Sequence, residues 1–357
     1  MSPRARSTSG WSAGDVVRTT AIVVAVVAGA VALWAASTVV LTVFFGVLFG
    51  LALSTGVDWL EHRHVPRGVG APLVMIVALA ILTAIGALIA PTLASQGSEL
   101  RMQIPAAIGQ LQTLLTSHIK GFSIGDVGNQ LTAGVGALGT RLFGFLGSTI
   151  EVIVYVLLVL FVAVYIAADP ELYQTGLMHL VPHRARHRTR DVLSGVANAL
   201  RQWLLTQFIA MVVLGTVWAI ALSILHVKAA LALAIIAGLL EFIPTIGPTL
   251  AVMPALAMAV IDSPTKALSV LLCYLVIQAI ESNVLIPLLM QGRINLPPAV
   301  TVVWQALMTL AFGFLGLMVA VPILAAVMVG IKLLYVEDVV GDELPDVDRV
   351  VAEARSG

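Results

Sequence analysis

A chain of 357 residues that is 59% hydrophobic and 11% charged, with mean hydropathy +1.03, is no water-soluble domain; that class is about half apolar and about a quarter charged. Its formal net charge is zero, so the balance carries no message about nucleic acid or acidic partners. Apolar runs of roughly 20 residues without barrel-like alternation point to an all-α integral membrane protein.

In chain order, spans are expected at 16–35, 39–57, 69–90, 145–168, 203–225 and 267–290. Two longer apolar stretches, 228–262 and 298–336, are interrupted near their middles. The expected organisation is a cytoplasmic tail (1–15), spans one to three (16–91), an external amphipathic or linker region (92–143), span four (144–168) and a basic cytoplasmic segment (169–202). A transport core of two spans and two interrupted hairpins (203–336) and an acidic cytoplasmic tail (337–357) follow. The first span resembles a secretory signal, but Val39 to Val57 continues the apolar pattern at once, which favours a membrane hairpin or signal anchor. Gly46 and Gly50 form a GxxxG pair suited to close helix packing. Cys273 is the single cysteine, so no intramolecular disulfide can form.

Orientation follows from lysine and arginine in the short loops. Arg4, Arg6 and Arg18 precede or open span one, Arg63 and Arg67 follow span two, and Arg184, Arg186, Arg188 and Arg190 follow span four. All fall on one side if the first four spans each cross once, and that side reads as cytoplasmic. These arginines are expected to form a solvated basic face and to meet anionic lipid headgroups. His183 and His187 have metal-compatible spacing, yet neighbouring arginines repel cations.

The stretch "GLLEFIPTIGPTL" (238–250) places Glu241, Pro244, Gly247 and Pro248 within an apolar run. Its arms of about 16 and 13 residues cover roughly 20–24 Å, short of a bilayer core of about 30 Å. That suits a re-entrant hairpin with "IPTIGP" at the tip. A second such stretch rises to a Gly-rich break at Gly313 and Gly316 and then returns. A slide of 69 residues brings Gly247 onto Gly316, and span plus hairpin then repeats with inverted orientation. In the competing layout every arm is a full, thin span.

Broken backbone in hydrocarbon persists only where protein or a cavity covers it. Two prolines and a glycine with access to positive φ therefore suggest a tip offering free carbonyls to an ion or polar solute; the alternatives are a kink or a solvent turn. Glu241, costing about 3 kcal/mol at mid-membrane, is a candidate proton carrier or a hydrogen-bonded structural group. Span six ends in "IQAIESNVLIPLL", where Gln278, Glu281 and Ser282 share a helical face, Asn283 points elsewhere and Pro287 breaks the helix. Glu281 is the second candidate for ion binding, against a buried hydrogen-bond network. Gln207 is a weaker one. No lysine follows a glycine, which excludes a P-loop; no HExxH or Ser–His pair sits in a span, so no enzymatic activity, metal or cofactor is expected.

"AGLLEFIPTIGPTLAVMPAL", "QAIESNVLIPLLMQGRINLPP" and "AFGFLGLMVAVPILAAV", with "VDWLEHRHVPRG" and "LVPHRARHR", resemble in order and spacing the signatures of the autoinducer-2 exporter family. The likeness covers roughly residues 16 to 336. It implies a polytopic, homo-oligomeric transporter of the bacterial plasma membrane, linked to autoinducer-2 release or to sodium–proton exchange. Carried over by motif, the marked positions are Glu241, Pro244, Gly247, Pro248, Glu281, Asn283, Pro287, Gly313 and Gly316. The chain departs from the family where Thr245 replaces an aromatic, where Thr206-Gln207 replaces Gly-Gln, and in "LLMQGRINLPP". The expectation is a secondary transporter of a small polar solute, coupled to protons or sodium. A sodium–proton antiporter, or a passive channel or scaffold, is the alternative.

Overall fold

The computed structural model describes residues 13–118, 149–290 and 297–341. Among these, every regular element is helical: α1 (Ala13–Ala35), α2 (Ser37–Glu61), α3 (Arg67–His118), α4 (Thr149–Ala168), α5 (Pro170–His179), a 3-10 turn (His183–Ala185), α6 (Arg186–Ile224), α7 (Ala230–Leu240), α8 (Ile246–Asp262), α9 (Pro264–Ile280), a π-helical turn (Glu281–Leu285), α10 (Ile286–Met290), α11 (Pro298–Ile331) and a π-helical end (Lys332–Val340). Five helical stretches are long and apolar enough to cross a membrane, or six if the bent α4–α5 pair counts as one. This is an all-α, multi-pass membrane architecture.

Two boundaries differ from the sequence reading. The polar region after residue 91 does not start with a break: α3 continues as one 52-residue helix to His118, roughly 78 Å at 1.5 Å per residue. The basic segment before span five is likewise helical from Arg186, because its only prolines, Pro170 and Pro182, lie ahead of that point. The expected tails at 1–12 and 342–357, and 119–143 of the external region, lie outside the described residues.

Glycine sets the contact between α2 and α4. A Cβ added at Gly46 would stand 2.6 Å from Val162 Cβ, and one at Gly50 2.9 Å from the Ala163 carbonyl oxygen. Residue numbers rise together along this contact, so the two helices run parallel, with Val57 and Ala167 in one small core further along. Gly46→Leu is expected to destabilise the fold by about 1–3 kcal/mol through overpacking, read as a lower unfolding midpoint in detergent.

The parallel pair defines the two ends of the bundle. Arg201 of α6 donates to Leu51 O at 3.0 Å and to Ser54 Oγ at 2.8 Å. Arg188, further toward the start of α6, pairs with Glu337 and Asp338. Arg63, Arg67, Arg184 to Arg190 and Lys332 therefore gather at one end. At the other end Asp262 accepts from Lys266 Nζ at 2.8 Å, Lys228 lies 3.6 Å away, and Lys266 also donates to His226 O at 2.9 Å. This staple ties together the bases of α6, α7, α8 and α9.

The hydrogen bond from Lys266, then the two lysine charges, hold the Asp262 carboxyl below its ordinary 3.8. A group whose folded value is depressed stabilises above its unfolded pKa and loses that contribution as pH falls through the folded one. Asp262→Asn should therefore flatten the acid limb of the stability profile below about pH 4, with an unchanged limb counting against the staple.

Both interrupted stretches fold back. α7 and α8 pack as a hairpin in one apolar core with α6 and α9. The stretch 298–340 passes as a single span by length and composition, but its geometry differs: Trp304 Nε1 donates to Ala320 O at 2.8 Å. Sixteen residues of straight helix would separate those positions by about 24 Å. Gly313, at φ 65 and ψ −145, is where α11 reverses, in a region open to glycine and strained for other residues.

Candidate functional site where broken helices meet

The first break is written in "EFIPTIGP". α7 closes with Ile243 N–H on Leu240 O at 2.9 Å; Pro244 has no N–H to extend it. Ile246 N–H then turns back onto Pro244 O at 2.8 Å, with Thr245 at φ 72 and ψ −53 between them. This is a γ-turn of the rare positive-φ kind. It costs a β-branched residue on the order of 1–3 kcal/mol.

The expectation that Gly247 supplies the positive φ is corrected here. Thr245 supplies it, and Gly247 is needed for want of a Cβ, which would meet Leu240 O at 1.9 Å. Pro248 also differs from its expected role. It lies in the first turn of α8, where a missing N–H breaks no helical bond.

The second break is in span six. Pro287 has no N–H and crowds the carbonyl a turn earlier, and the helix widens just before it into the π-helical turn Glu281–Leu285. Such insertions re-aim side chains and recur at functional sites. Glu281 opens this one, 7% exposed, and Glu241 caps α7, 3% exposed. Their carboxyl groups lie close enough to interact. Two ionised carboxylates so placed would repel. Gln278 Nε2 donates to Glu281 Oε2 at 3.0 Å. Gln207 of α6, 3% exposed, donates to the main-chain carbonyl of Glu241. Gln207 thus satisfies a carbonyl that the end of α7 would leave bare.

Two residues absent from the sequence reading complete the centre. Gln305, fully buried on the first arm of α11, donates from Nε2 to Pro244 O at 2.9 Å. Because that carbonyl can only accept, the amide orientation is fixed. Its Oε1 is buried without a partner among the described residues. Trp203 of α6, 1% exposed, packs edge-on to Phe242 at 5.9 Å between ring centroids, and its Nε1 likewise has no partner among the described residues. Phe242, Ile243, Met308 and Leu317 share one core with Leu41 and Phe45 of α2, so the tip of the first hairpin rests on the body of the second. Gln305 was visible as a lone amide inside "VTVVWQALMTL", the pattern by which polar groups in apolar spans mark sites. Trp203 gave no signal beyond its aromaticity.

The other sequence candidates divide. Gly316 lies in the second hairpin's turn, where a Cβ would meet Met308 O at 2.2 Å. Thr245 is exposed beside the buried Glu241, and its carbonyl accepts from Thr249 Oγ1 at 3.0 Å. Asn283 and Ser282 face outward and bond back to Ala279 O and Gln278 O; the widened turn removes Ser282 from the face of Gln278 and Glu281. Pro287 is exposed and Gly313 half-buried. His187 is drawn to Asp191 at 3.0 Å, and among the described residues no group of three or more potential ligands could hold a metal.

The family model described as AI-2E family transporter matches residues 22–335. Among the relatives are three whose names begin "Putative transport protein". YueF of Bacillus subtilis is 26% identical, over 80% of this chain and 84% of its own. MT0215 of Mycobacterium tuberculosis is 24% identical, over 97% and 98%. YhhT of Escherichia coli K12 is 24% identical, over 81% and 83%.

Proposed function

Because the chain belongs to the AI-2E family of transporters, we propose that it is a secondary transporter that moves a small polar solute, such as autoinducer-2, by alternating access driven by a proton or sodium gradient. The observation that carries this is the buried Glu241–Glu281 pair at the junction of two interrupted helices. A carboxyl pair sharing one proton can take up a second charge state, and broken helices let the flanking arms move around it. The bases of the first hairpin are stapled at one end, while its tip meets the second hairpin through apolar packing and the hydrogen bond from Gln305. A base fixed by ion pairs and a tip that rests on the second hairpin suit a gate.

The same reading places the arginine-rich end in the cytoplasm, in a bacterial plasma membrane, with both termini on that side. It treats the two hairpins as halves of an inverted repeat and the protein as a homo-oligomer. The carboxyl pair also supports sodium–proton exchange with no organic substrate, since either acid can trade its proton for a cation.

Flux into proteoliposomes tests the proposal. Solute accumulation under an imposed proton or sodium gradient is the expected result. Gradient-driven proton movement with sodium alone would identify exchange. Purely downhill leak would mean a channel.

A further inference from the structure

Helix α5 makes an elbow with α4, bent by 88°. The elbow is written locally: Asp169 Oδ1 accepts from Leu172 N–H at 3.0 Å, and Pro170 starts the new helix. With α4 along the membrane normal, α5 lies in the membrane plane. At about 100° per residue, Leu172, Tyr173, Leu177 and Leu180 fall within an arc of about 140°. All four are exposed, Leu172 at 62% and Leu180 at 83%. Met178 points back into the protein at 3%, and Glu171, Thr175 and His179 occupy a separate exposed polar arc. A helix with one arc for protein, one for water and one bare apolar arc fits the plane of an interface.

The arginines just beyond it divide by what they touch. Arg186 donates to Val181 O at 3.1 Å, and Arg188 is held by Glu337 and Asp338. Arg184 and Arg190 are exposed and engage no acid among the described residues. Arg63, stacked 4.5 Å over Trp59, adds a cation at the same end.

We propose that this elbow is a binding surface for anionic phospholipid. The apolar arc of α5 enters the acyl boundary, and Arg184 and Arg190 take the headgroup phosphates. The inference needs α4 to span the membrane and is independent of what the protein transports.

Full-length protein in phosphatidylcholine vesicles, with and without phosphatidylglycerol, tests it. Spin-labelled analogues of the two lipids report which one the protein retains. The wild type should prefer phosphatidylglycerol, and Arg184→Ala and Arg190→Ala should each lower that preference about fivefold, from about 1 kcal/mol per arginine at the surface. Lysine at both positions should retain it, and about 1 M salt should erase it. A fluorophore on Leu180→Cys, with Cys273→Ser, should be quenched by nitroxide lipid. An undiminished preference in the double alanine variant, or a fluorophore that lipid does not reach, would overturn the proposal.

Discussion

Glu281→Gln should reduce gradient-driven flux to the background of empty vesicles while leaving the protein folded. Glutamine has nearly the same volume, and its amide can still accept from Gln278, so the buried packing around it survives. What is lost is the exchangeable proton, and with it any means of coupling through this pair. Glu241→Gln should give the same phenotype for the same reason. The double variant should be no worse than either single one, because groups acting as a unit are not additive. Persisting gradient-driven flux in both single variants would remove the pair from the mechanism. Unfolding midpoints measured in detergent separate that outcome from misfolding.

Gly247→Ala is expected to produce the largest structural effect. The new Cβ would lie 1.9 Å from Leu240 O, which is backbone and has no rotamer to escape into. The tip must open, and the Gly247 N–H bond to Ile243 O, 2.8 Å long, goes with it. The cost should be on the order of 3 kcal/mol or more, among the severe single substitutions. Cysteine at Thr245, on a Cys273→Ser background, should be modified by maleimide faster once the tip is open. Thr245→Gly should act the opposite way: it relieves the γ-turn strain of about 1–3 kcal/mol against a backbone entropy loss of about 0.5–1 kcal/mol. An unchanged midpoint and labelling rate in Gly247→Ala would mean that the turn is closed by something other than this contact.

Much of the fold was legible because membrane insertion writes itself in composition. The runs at 39–57, 69–90 and 267–290 lie within helices of the structure and 203–225 within one to its last residue but one, since backbone groups in hydrocarbon have no other way to be satisfied. Pro244 and Gly247 marked the first break correctly, yet the roles within it were misassigned. Proline's missing N–H is a local property, whereas the place of positive φ depends on which carbonyl the returning chain must avoid. α3 runs on into the expected amphipathic element without a break, because Pro91, Gly97, Pro105 and Gly109, which read locally as breakers, are all carried within the one helix.

The site shows the same division. Glu241 and Glu281 stood out as acids in apolar surroundings, a feature that spacing and hydropathy reveal. Forty residues separate them, and no periodicity says that their carboxyl groups touch. Gln207 stood out as a weaker candidate, whereas Gln305 and Trp203 enter only because the first arm of α11 and α6 pack on the tip. The sequence alone determined that this chain is helical, that it lies in a membrane and that Glu241 and Glu281 sit in apolar surroundings near helix breaks, because each depends on neighbouring residues and on burial cost. Tertiary structure decided that the acids come together, that α11 doubles back on itself and that the tip of one hairpin packs on the other, because those contacts arise from packing between segments distant along the chain.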